Sequence, residues 1–246
     1  MLGMLEQAGW PFKEKGHLIL HQVLENEKIV QWLLDRGVWL DFPQSELRDD
    51  LKKGEKDETI ALLNQAAAQG NMAMFDHLVS LGADPSRSLA LHYAAALYKP
   101  HHDNANATDA VIGHLIQKYH FAVDADDTCG GLVKLSDFTV IPSQEGPPLV
   151  RAVFHGNLPA IQSLLRRGAL IDEKAIRTAI ECDNLDVLQA LLEAGGDATY
   201  GCCLAVARDK VEAAHVCLQH GADHKAAVGY NRELASKTST HSPADK

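Results

Sequence analysis

Apolar and polar positions recur along this chain in blocks that align without a gap: residues 62–84, 148–170, 175–197 and 201–223. The second position of each block is apolar (Leu63, Leu149, Ile176, Cys202) and the fifth is alanine (Ala66, Ala152, Ala179, Ala205). The sixth is again small or apolar (Ala67, Val153, Ile180, Val206). Positions two, five and six have the i, i+3, i+4 spacing of one helix face. Shortly before the end comes a larger apolar pair: Leu78/Val79, Leu164/Leu165, Leu191/Leu192 and Cys217/Leu218. Gly82, Gly168, Gly195 and Gly221 close the blocks.

The punctuation predicts two helices per block. Asn71, Asn157 and Asn184 stand where a second helix should start, and asparagine is a strong N-cap. Pro159 follows Asn157 by two residues, in a first helical turn that has no use for its missing N–H. The closing glycines can adopt positive φ and stop the second helix. The recurring alanine suits a point where neighbouring helices come close. A hairpin this short cannot bury its apolar face alone, so successive hairpins must stack. The expected class is therefore all-α.

The segment "LALHYAAAL" (89–97), with His92 ahead of Ala94 and Ala95, and the endings "GAD" resemble ankyrin repeats, whose unit is ~33 residues with a Thr-Pro-Leu-His opening. Here the threonine and proline are mostly missing, the openings being "LALH", "GPPLV" and "GCCL". The resemblance covers residues 1–224 and implies a helix–turn–helix solenoid of about six repeats, the first truncated, with extended finger loops. Residues 18–41 and 89–124 fit more loosely, the latter with Tyr119 in place of the closing glycine and an insertion at 99–107. Residues 4–12 parallel 191–199, as though the chain began halfway through a repeat. That leaves two alternatives: a cap improvised from Leu2, Leu5 and Trp10, or a repeat segment of a larger multidomain protein whose activity lies elsewhere.

Insertions fall at 42–58, 99–107 and 125–147. The first is a charged loop. The last carries Leu132, Val133, Leu135, Phe138, Val140 and Ile141, too apolar for an idle connection, and reads as a finger packed on its neighbours, a partner site, or both. The polar stretch 225–246 carries no repeat position and is expected to be largely disordered.

Composition narrows the function. An apolar content of 46% with 23% charged residues is that of a globular protein, and no run reaches the ~18 uncharged apolar residues of a membrane span. The amino terminus lacks a basic leader before an apolar core. Five cysteines without framework spacing point to reduced thiols, hence cytoplasm or nucleus. A net charge of −10 argues against a nucleic-acid surface. His101, His102 and Asp103 adjoin in "KPHHDN" but do not make a convergent metal set. "DADDTCGG" (124–131) opens like a calcium loop and then has Cys129 where glycine is required. Neither a phosphate loop nor a nucleophile elbow occurs. No cofactor and no catalytic residue is expected.

The resemblance implies a non-enzymatic, monomeric module that binds a protein partner across its concave face and finger loops. The first-helix positions read as solvent-facing are Gln65, Tyr93, Arg151, Thr178 and Leu204, with Phe154, His155 and Arg208 nearby. Candidate partner-binding residues are Tyr93, Arg151, Phe154, His155 and Gln65, because aromatics and arginine dominate interface energetics, together with Asp126 and Asp127 on the acidic finger.

Overall fold

The computed structural model describes residues 2–12, 19, 23, 26–38, 58–97, 105–126, 146–225 and 229. Among these residues every regular element is helical and there is no strand, so the class is all-α. None of these helices is long and apolar enough to cross a membrane. The expected insertions lie largely outside the described residues, at 41–57, 98–104 and 127–145, as does most of the tail beyond 225. The chain divides into two compact units, Met1–Pro148 and Leu149–Lys246.

The first unit holds α1 (Leu2–Gln7), α2 (Glu27–Leu34), α3 (Glu58–Ala68), α4 (Met72–Ser80), α5 (Ala90–Leu97) and α6 (Ala105–Tyr119), with a short 3-10 turn at Pro85–Arg87. α3 packs on both α4 and α5, and α5 on α6. Arg36, after α2, holds Glu6 of α1 at 2.8 Å and lies over the Trp32 ring at 3.5 Å. Trp10, Phe12 and Trp32 meet edge to face, with Phe12 buried. Three expected boundaries move, the first being Glu58, which opens α3 rather than ending an insertion. Residues 105–107 belong to α6 rather than to an insertion, and the left-handed residue after α6 is His120 (φ 58°), one beyond Tyr119.

The second unit holds α7 (Pro148–Phe154), α8 (Leu158–Arg166), α9 (Glu173–Glu181), α10 (Leu185–Glu193), α11 (Ala198–Ala207) and α12 (Val211–Gln219). α9 packs on α11, α8 on α10 and α10 on α12, while α9–α10 and α11–α12 pack as hairpins.

The four aligned segments share one local construction. After each first helix, the amide of Asn71, Asn157, Asn184 or Lys210 donates to the carbonyl of the recurring alanine five residues back, at 2.8 to 3.0 Å. Such a bond requires a left-handed residue just before the donor. Gly70 (φ 69°) and Gly156 (φ 63°) supply it in two segments, Asp183 (φ 53°) and Asp209 (φ 56°) in the others. The asparagine side chains then cap the second helices, accepting from the amides of Met74, Ala160 and Val187. Lys210 cannot accept and its helix has no side-chain cap; its ammonium instead donates to Asp183 at 2.6 Å. The closing glycines all have positive φ, 85° to 106°, and the next amide donates back to Leu78, Leu164, Leu191 or Cys217. Asp172 and Asp197 cap α9 and α11 in turn.

Burial separates the terminal apolar pairs. Leu78, Leu164, Leu191 and Cys217 are fully enclosed, whereas Leu165 is half-buried and Leu218 is exposed. Leu164→Ala is therefore expected to cost about 2–5 kcal/mol, and Leu165→Ala clearly less, as read by chemical denaturation.

Gly201 sits inside α11 against helix propensity, which favours alanine by about 1 kcal/mol. A Cβ there would lie 2.9 Å from Cys217 Sγ and 3.3 Å from Ile176 Cγ2. Gly201→Ala should consequently lower the melting temperature, and adding Cys217→Ala should restore part of the loss. A stabilised Gly201→Ala protein would mean that α11 does not approach α12 this closely.

The turn position gives a second sign contrast. Gly156→Ala would place a Cβ 2.8 Å from Asn184 Nδ2 in a left-handed residue, a conformation that costs an L-residue about 1–2 kcal/mol. Asp209→Gly removes that kind of strain. Thermal unfolding should show the first destabilised by more than about 1 kcal/mol and the second neutral or stabilised.

Candidate interaction surface

A first helix can meet a partner only if one of its faces stays open, and the described first helices differ sharply in this. Residues Ala90–Ala96 of α5 are all buried, as are residues 148–153 of α7. In α9, by contrast, Glu173, Arg177 and Glu181 are exposed. Their i, i+4, i+8 spacing makes one open stripe. On α11 and its C-cap a second stripe, one position out of register with the first, is Tyr200, Leu204 and Arg208, the first two half-buried and the last exposed.

The two stripes are cross-linked within the second unit. Arg177 donates to the Tyr200 hydroxyl through Nη2 at 2.9 Å and Nε at 3.3 Å. Arg208 Nη2 lies 3.3 Å from Glu181 Oε1. Along the adjoining turns, Lys210 Nζ bonds both carboxylate oxygens of Asp183, at 2.7 and 2.6 Å. Exposed pairs of this kind add little stability, typically 0–1 kcal/mol. Their effect is to hold long side chains in one geometry, which lowers the ordering cost of a later contact.

The residues expected from sequence to bind a partner fall out differently. Tyr93 is 3% exposed and Arg151 7%, so neither faces solvent, and Thr178 is buried as well. The correction has a physical reason: α5 and α7 are enclosed along almost their whole length and have no outward stripe. Thr178, on a helix that does have one, lies beside it and turns its hydroxyl back onto the Lys174 carbonyl at 2.7 Å. Gln65 is half-buried on α3. Phe154 and His155 are half-buried with their rings edge to face, 5.2 Å apart. Asp126 is exposed, and Asp127 lies outside the described residues, as do His101, His102 and Asp103. Arg177 and Tyr200 were missed. The signal for Arg177 was a single base at the third block position, where the other blocks carry Asn64, Val150 and Cys203, while Tyr200 lies one residue ahead of its block.

Each of the four described thiols is shifted up, away from the thiolate. Burial pushes Cys217 up to about 12 and raises Cys202 and Cys203. Exposed Cys182 is raised by partial burial and by the neighbouring carboxylates Glu181 and Asp183. A nucleophilic cysteine needs the opposite surroundings.

A dense polar cluster lies in the first unit, between α4 and α6. Asp76 accepts from the Tyr119 hydroxyl at 2.6 Å, His114 Nε2 at 2.8 Å and Lys118 Nζ at 2.7 Å. Burial disfavours the Asp76 charge, but the bonds from Lys118, Tyr119 and His114 outweigh it and hold the carboxyl below its ordinary value. Partial burial, then the bond to Asp76 and its charge, push the Tyr119 phenol well above its own. The arrangement ties two helices together.

The signs give a pH prediction. A depressed Asp76 contributes stability that is present above its unfolded pKa and lost as pH falls through the folded one. A raised Tyr119 contributes stability that is complete below its unfolded pKa near 10 and lost as pH rises through the folded one. Asp76→Asn should therefore lose stability at neutral pH, converge on wild type in acid, and let Tyr119 ionise at lower pH, as followed by NMR of the tyrosine ring carbons. An unmoved Tyr119 titration would count against the cluster. Compared with known proteins, the chain matches no protein-family model and no curated protein.

Proposed function

We propose that this chain is a non-enzymatic protein-binding array of ankyrin-type helix–turn–helix repeats, acting in the cytoplasm or nucleus. The turn bonds and left-handed positions shared by the four segments, with asparagine caps in three of them, support the repeat reading, because one sequence pattern recurs with one set of backbone contacts. The resemblance in sequence supports the family; fold alone would not fix the function.

The observation that carries the binding reading is the pair of parallel stripes on α9 and α11. Arg177, Tyr200, Leu204 and Arg208 stand side by side there, with both guanidinium groups anchored. Tyrosine and arginine are the residue types that most often carry binding energy at interfaces. An apolar Leu204 between them supplies contact area without charge. Gln65, Phe154, His155 and Asp126 remain accessible enough to add contacts of their own; buried Tyr93 and Arg151 would act by supporting the helices that carry them.

The test is affinity capture from native lysate with quantitative mass spectrometry. Arg177→Glu/Arg208→Glu should reduce the captured partner at least ~10-fold, which corresponds to about 1.4 kcal/mol, while circular dichroism stays unchanged. Gln189→Ala/Glu193→Ala, which disrupts an exposed pair on α10, should leave capture intact. Equal capture by a folded stripe variant would reject this surface.

A further inference from the structure

We draw no further inference here: the strongest candidate, the apolar side chains Val206, Val211 and Leu218 left exposed on α11 and α12, carries nothing because nothing among the described residues shows what covers them.

Discussion

One backbone bond organises the hairpins: the amide that opens each second helix returns to the alanine carbonyl five residues earlier. It closes the first helix, requires a left-handed residue in between, and sets the direction in which the second helix leaves. Helices of seven to eleven residues are far below the length at which isolated helices persist in water. Their stability has to come from the faces they bury, and those faces meet only if the turn is built the same way each time. Alanine at the acceptor position serves both needs. It is fully buried in all four segments, so its small side chain admits the neighbouring helix while its carbonyl receives the turn.

Much of this was legible in the chain. Asparagine at the start of a helix and glycine at its end act through local chemistry, and the structure places Asn71, Asn157 and Asn184 as caps and the four glycines at positive φ. The apolar positions two and five were legible for the same reason, since helix periodicity survives any tertiary arrangement. What escaped was the left-handed position itself. Gly70 and Gly156 announce it, but Asp183 and Asp209 do not, because aspartate has many other reasons to occupy a turn. Once four segments are superposed, the shared backbone identifies it at once.

The surface was less legible than the fold. Sequence periodicity says which side of a helix is apolar, and it assumes that the other side is wet. For α9 the assumption holds: Glu173, Arg177 and Glu181 form the stripe left over after Ala175, Ile176, Ala179 and Ile180 are buried. For α5 and α7 it fails, because helices made mostly of alanine, valine and leucine are enclosed on every side, their polar His92 and Arg151 included. Tyr93 and Arg151 were chosen for residue type at a position that burial had already claimed. Residue type without an open face is a weak guide, and the composition of the whole helix would have been the better one.

The same reasoning bears on the side-chain ties between α9 and α11 and their turns. A helix with an open stripe leaves long side chains free to sample many rotamers, and each must be ordered before it can contact anything else. Bonding Arg177 to Tyr200, and Arg208 to Glu181, meets part of that entropy cost within the folded chain. These contacts contribute little to folding; in the proposed binding role they would leave less to order on contact. A surface whose arginines are already aimed differs in this respect from an equally charged surface whose arginines wander, even though net charge and composition would not distinguish the two.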